Sequence, residues 1–513
     1  MISFIKKHIP GVICLVLAII HLCITFFTDK LIFLVPMSTN LSDAIICKIL
    51  AGITLFFLYY GAYLIIFKGI VPSAKSLSEV SDLYKIFLSA LPYLLIIIAA
   101  CIIKLPGGYL SNDETLIVEG ALNLQHYTWF YYITVYFYIV SFMIFPTYLG
   151  PIFMKLIIEF FVVGYVVYRI KKLYGKPYWY FGYALFLLYP VIAYTTSAHR
   201  LPIYFLLYIL LIAMLIFDGI EKVKLSIGKA AFLIFLGAVL TQWRTEGIYL
   251  AVIVPILMLF TYSNLRNIKN AVLLVISTII LQYLVSVPQN GLVAKEMGAA
   301  ADDRMKPFYA YTITNMYRNG LDEEKNAEDL AIVDKYLAID KIYAINEHYG
   351  DINYEDVLIL YEPDFAGVRE EATVTDFFNY AGALKRIFKN NIAVFLKTRI
   401  GAFCYAALPY HVDFGSGIVS LGISVVKAVL YNLFIPLAII VLICIYSLIK
   451  KKWFSFFLTG GVIAHWFIVF ILAPASYFKY YFPVYITSYF YLLMIILTLF
   501  YNRKGSDKIS IIR

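Results

Sequence analysis

"KIFLSALPYLLIIIAACIIKLPGGYLSNDETLIVEG", Lys85 to Gly120, decides the fold. Its first half is an apolar run close to the roughly 20 residues that a helix needs to cross a bilayer. Its second half leaves that run through Pro106-Gly107-Gly108 and places two adjacent carboxylates, Asp113 and Glu114, directly beyond it. Runs of the same kind recur along the chain. They predict spans near 10–28, 46–68, 86–103, 150–169, 178–196, 201–217, 228–243, 247–263, 270–288, 425–449, 454–474 and 479–501.

The composition agrees. Of 513 residues, 62% are hydrophobic and only 14% charged, where a soluble domain has about a quarter charged. The expected class is an all-α polytopic membrane protein with about twelve transmembrane helices. Forty-five Tyr and 40 Phe fit broad aromatic belts at the membrane interfaces. The six cysteines form no CxxC pair, which argues against a disulfide framework or a thiolate metal site. The first apolar run is long and "TDK" after it offers no small-residue cleavage site, so a retained first helix is expected rather than a signal peptide.

The net charge of +10 is read through topology rather than as affinity for nucleic acid, because basic residues cluster at the ends of spans. "RIKKLYGK" (169–176), "EKVK" (221–224), "NLRNIKN" (264–270), "KKK" (450–452) and "RKGSDK" (503–508) fall on one side if both termini are cytoplasmic. That arrangement requires "WFYYITVYFYIVSFMIF" (129–145) not to cross. Residues 115–147 are therefore expected as helices in the outer interface, where aromatic side chains are at home, and loop 104–148 faces outside. Nineteen of the 32 acidic residues lie between Glu296 and Asp376, which marks the long segment without a span as a polar external domain. The organisation expected is two leading spans in 1–85, a catalytic membrane module in 86–288, a mainly α external domain in 289–415, and three spans with a basic tail in 416–513.

Ionisable groups at membrane depth are costly and are functional candidates by default. Ser111 to Glu114 reads first as a capping box, with Glu114 reaching back to the Ser111 amide. The functional reading makes Asp113 a general base at the membrane surface. In "TQWRTEG", Arg244 and Glu246 interrupt an apolar stretch. They pair with each other, and a guanidinium there suits a phosphate held in two-point fashion. His199 and Arg200 in "TTSAHRLP", and Lys479 with Tyr480 in "ASYFKYYFP", stand at span ends, where interfacial anchoring is the plain alternative. Glu159 reads as facing a partner inside the bundle, and His465 as a packed histidine. No His/Cys/Asp cluster has convincing metal spacing, and no P-loop or dinucleotide fingerprint follows a strand.

Together these stretches resemble the GT-C superfamily of polyprenyl-phosphate-sugar-dependent glycosyltransferases, which includes protein O-mannosyltransferases and the lipid A aminoarabinose transferase. The resemblance rests on an acidic "DE" shortly after a span and on juxtamembrane helices ending in "RIKKLYGK". It rests also on "TQWRTEGIYL", similar to the family's "tRpEg" stretch, and on "SYFKYYFPVY", similar to its "RYxxP" segment. It covers roughly residues 86–290 and 475–500. The chain departs from the family in its two extra leading spans, in a polar domain inserted before the last three spans, and in Lys479 where Arg is common.

The resemblance implies transfer of a sugar from a polyprenyl-phosphate donor to an envelope glycan, lipid or protein acceptor by inverting single displacement. The site would lie on the outer face of a cell membrane of bacterial type. Asp113 would be the base. Glu114 would orient it, cap the helix, or share with it a divalent cation such as Mg or Mn. Arg244, Arg200, Lys479 and His199 would hold the donor phosphate, with Glu246 and Tyr480 in support. A lipid-linked glycan polymerase or ligase is the first rival, and would rely on external Arg and His without an essential carboxylate. A transporter or flippase is the second, and would carry inverted repeats and Gly/Pro-broken spans, neither of which is found.

Overall fold

The computed structural model describes residues 2–28, 32–33, 41–70, 82–104, 112–124, 130–175, 178–197, 199–293, 305–349, 360, 367–408, 422, 425–426 and 428–504, together with 510. Among them the protein is all-helical, with a single isolated bridge between Leu337 and Val368. Among the described residues, nine helices are long and apolar enough to cross a membrane. All six cysteines are free. The chain divides into two compact units.

The first unit comprises residues 1–293, 452–457 and 489–513. It holds α1 (Ile2–Thr28), α2 (Leu41–Ile70), α3 (Asp82–Lys104), α4 (Asn112–Leu122), α5 (Tyr132–Ile144), α6 (Gly150–Tyr174), α7 (Tyr189–Thr195), α8 (Leu201–Glu221), α9 (Ile227–Thr241), α10 (Leu250–Thr261) and α11 (Ile268–Val287). Helix α6 begins with a proline in its first turn, ends with Lys171 and Lys172, and stops at Gly175 with φ of 77°. Those are the start, charge and stop signals that a helix terminus calls for. Helices α6 and α8 are the most enclosed spans. In contrast, α1, α3 and α11 bare apolar side chains such as Ile24, Leu95, Ile103 and Ile279, a surface suited to lipid.

Close approach of α3 and α6 depends on Gly164. A Cβ there would lie 2.5 Å from the Ile86 carbonyl oxygen and 2.9 Å from Ala90 Cβ, the small-residue contact by which spans pack without water. At another point, α6, α8, α9 and the turn after α10 are tied through Asp218, which is fully buried. It accepts from Arg169 Nη2 (3.1 Å), Lys229 Nζ (2.6 Å) and the Tyr262 hydroxyl (2.6 Å). The last segment completes this unit. Tyr174 and Thr498 share a hydrogen bond of 2.8 Å, and Phe217 meets Phe490 edge-on.

Three expected spans differ from single full-length helices. The stretch 178–196 is a 3-10 turn at Trp179–Tyr183, further turns, and the two-turn α7. One of its carbonyls, Phe186 O, accepts from the Tyr93 hydroxyl (2.9 Å), and the Tyr183 hydroxyl ties the stretch to α3 by donating to Ser89 O (2.6 Å). Non-helical backbone at such depth is tolerated where protein encloses it in this way. Helix α9 has 15 residues and α10 only 12, each shorter than the roughly 20 of a full span. The expected interfacial segment 115–147 forms α4 and α5. Helix α5 is too short to cross, but it does not lie open: nine of its 13 residues are buried in the first unit.

The second unit comprises 294–451 and 458–488. It holds α12 (Lys306–Arg318), α13 (Ala327–Asp334), α14 (Ile339–Tyr349), α15 (Val374–Asn390), α16 (Ile392–Ala407) and α17 (Phe434–Ile449), most of α18 (Trp453–Leu472) and the first turns of α19 (Phe482–Lys504). Helices α12 to α16 enclose an apolar core that includes Tyr311, Ile313, Met316, Val333, Tyr380 and Leu384. A capping box between Thr373 and Asp376 starts α15, and Arg386 pairs with Asp329 at 2.6 Å. The mainly α character expected for this polar segment holds among its described residues.

Candidate active site

The site grows from α4, which starts eight residues after α3 ends. Glu114 lies in the first turn of α4 and is buried, with 1% exposure. Its Oε1 accepts from the Arg200 amide (3.3 Å) and from Arg200 Nη1 (3.4 Å), and its Oε2 faces His199 Nδ1 at 3.4 Å. The Arg200 guanidinium lies over the Phe130 ring at 4.4 Å. Burial alone would raise the Glu114 carboxyl. The His199 hydrogen bond, the Arg200 and His199 charges and the Arg200 amide outweigh it and hold the group at about 2. Glu114 is therefore a fixed anion at neutral pH. Both of its oxygens face N–H donors, an arrangement for anchoring rather than for proton exchange.

The turn bearing His199 and Arg200 follows the short α7 and is held from below. Lys155 of α6, 1% exposed, donates from Nζ to the carbonyls of Ser197 and of His199, the latter at 2.9 Å. One turn along, Glu159 accepts from the Tyr93 hydroxyl at 2.9 Å. The bundle-interior partner expected for Glu159 is thus Tyr93. Sequence reading passed over Lys155, although an ammonium inside "GPIFMKLIIEFF" is itself the signal, because charge within a span is expensive unless it is used.

A second turn joins the first through Trp243, whose Nε1 donates to Arg200 O at 3.3 Å. Arg244 Nε donates to Glu246 Oε1, the mutual pairing expected of them. The next residue must be small: a Cβ on Gly247 would lie 2.5 Å from Leu240 O and 3.1 Å from the Tyr204 hydroxyl. Tyr131 adds a bond from its hydroxyl to Thr245 at 3.3 Å. The stretches containing "SNDE", "AHR" and "WRTEG", separated by more than 130 positions, are thus brought into one cluster.

The other sequence candidates fall elsewhere. Ser111 lies outside the described residues, and so does the side chain of Asp113, although its backbone belongs to α4. Lys479 and Tyr480 belong to the second unit, in a 3-10 turn at Phe478–Tyr481. There Lys479 Nζ lies 4.7 Å from the Tyr477 ring centre and 5.9 Å from that of Tyr480. His465 is fully buried, with Nε2 3.2 Å from Tyr480 O, a packed histidine. Among the described residues no group of three or more His, Cys, Asp or Glu could hold a metal ion. Comparison with known proteins finds no matching family model, no similar curated protein and no similar solved structure.

Proposed function

We propose that this membrane protein is a glycosyltransferase of the GT-C type, with about twelve spans on that reading, moving a sugar from a polyprenyl-phosphate donor to an envelope glycan, lipid or protein acceptor. The observation that carries the reading is the acidic start of α4, immediately beyond a span, with Glu114 clasped by His199 and Arg200. Both termini are then cytoplasmic and the site faces outward.

Of the two carboxylates, Glu114 is the poorer base, because a group held at about 2 gains little by taking a proton near neutrality. Its role is to fix the basic turn. Asp113, one residue away, is the base. In the reaction the acceptor hydroxyl oxygen bonds to C1 of the sugar while its proton passes to Asp113. The bond from C1 to the phosphate oxygen breaks, and its electron pair leaves on the lipid phosphate. Arg244 and Arg200, with His199, stabilise that growing charge, which is worth most where water is excluded. Glu246 supports Arg244. No step is routed through a divalent cation.

The decisive experiment reconstitutes the protein with candidate polyprenyl-phosphate sugars. Asp113→Asn is expected to lose on the order of 10²–10⁴ in rate, and Arg244→Ala on the order of 10²–10³. Full transfer by Asp113→Asn would sink the assignment. A second reading, a lipid-linked glycan polymerase or ligase, is favoured by the same clasp seen from its basic side, with Glu114 serving His199 and Arg200. That enzyme would keep its activity in Asp113→Asn and lose it in His199→Ala and Arg200→Ala.

A further inference from the structure

Helix α16 exposes Ile392, Leu396 and Ile400 at 40–55%. Its buried face is mostly apolar, with Phe395, Ala402 and Phe403, yet it also takes in Thr398 and Arg399. A helix ordinarily turns its charges to water. Here a guanidinium with 1% exposure points into the second unit. It lies outside the cluster around Glu114, and no sequence motif singled it out.

The surroundings of Arg399 leave it partly satisfied. Its Nε donates to Phe470 O at 2.6 Å and its Nη2 to Ala473 O at 3.0 Å. These carbonyls close α18, so the negative end of the helix dipole offsets part of the charge. Its Nη1 has no acceptor among the described residues, and no carboxylate among them pairs with it. The rings of Phe308 and Tyr311 lie 5.9 and 5.8 Å from the guanidinium carbon. The Tyr311 hydroxyl meets Ser476 Oγ in the segment just after α18.

A buried charge lacking a counter-charge costs several kcal/mol, and buried polar groups without a partner are rare enough each to need a reason. A helix cap would use two of the five guanidinium N–H groups and could be made by a neutral side chain. What a guanidinium adds is a planar fork that matches the oxygens of phosphate or carboxylate. We propose that Arg399 anchors an anion-binding site in the second unit, where a phosphate group meets its Nη1 edge. A phosphate borne by a lipid headgroup and a free phosphate present the same oxygens. This inference does not rest on glycosyl transfer, and binding alone tests it.

The test uses the purified full-length protein in neutral detergent and follows its thermal unfolding by intrinsic fluorescence. Inorganic phosphate and phosphatidic acid are titrated separately, with phosphatidylcholine as the uncharged control. A ligand that binds only the folded form raises the midpoint with concentration. Wild type is expected to show that rise, Arg399→Met to lose it, and Arg399→Lys to bind at least about tenfold more weakly, since an ammonium cannot supply the fork. A rise with phosphatidic acid alone assigns the ligand to a lipid headgroup, and a rise with both assigns it to phosphate as such. If neither probe moves the wild-type midpoint, Arg399 is only a helix cap and the site is refuted. If Arg399→Met does not fold, wild-type affinity in Arg399→Lys refutes it equally.

Discussion

Glu114 shows how one side chain can be made unfit for a role and fit for another. Its folded carboxyl, held at about 2, lies below the ordinary 4.5. A depressed acid contributes stability that is complete above the unfolded value and is lost as pH falls through the folded one. The displacement corresponds to roughly 3 kcal/mol. Comparing the unfolding midpoints of wild type and Glu114→Gln should therefore show a full gap above about pH 4.5 that closes toward about pH 2. A gap that stays constant across that window would mean that the clasp by His199 and Arg200 is not electrostatic. Buried charge pairs are also unforgiving when halved. Asp218→Asn, which leaves Arg169 and Lys229 facing a neutral amide, should destabilise by roughly 3–5 kcal/mol, read as a lower midpoint in the same assay.

At the scale of elements, packing turns on a few small residues. Gly164→Leu would drive its side chain into the Ile86 carbonyl and Ala90 and push α3 from α6, and with them the start of α4. The expected outcome is a lower midpoint and faster proteolysis between 104 and 112. Gly61→Ala, in α2, meets nothing within 4 Å and should be neutral or slightly stabilising, since alanine is the better helix former. Equal effects from the two would discount the contact. The long apolar runs were legible because their length alone implies a crossing. The break across 178–196 was not, because it is maintained from outside: Tyr93 and Tyr183 bond to backbone or offer hydroxyls across more than 90 positions. The site divides in the same way. Candidate charges at span ends could be picked out singly, but the joining of Glu114 to Arg200 and of Lys155 to Ser197 is a tertiary fact with no local trace. The charge of Lys155 within a span was a local signal, but the carbonyls it holds were not; nothing in "KTRIG" marks Arg399 as buried.

Across the whole molecule, the first unit takes in residues 452–457 and 489–513 as well as 1–293. The chain is therefore interleaved, and its order of synthesis becomes a physical constraint. When the ribosome has finished α11, most of the first unit's helices exist, but Tyr174 still lacks Thr498 and Phe217 still lacks Phe490. For the time it takes to make the intervening segment, that seam on α6 and α8 must be tolerated by lipid or covered by the insertion machinery. A chain stopped at residue 488 should show the consequence: its first 293 residues, unchanged in sequence, would be cut by protease in membranes where the full chain resists. The α19 helix acts as a clasp, so that the early spans reach their finished packing only after it has been made.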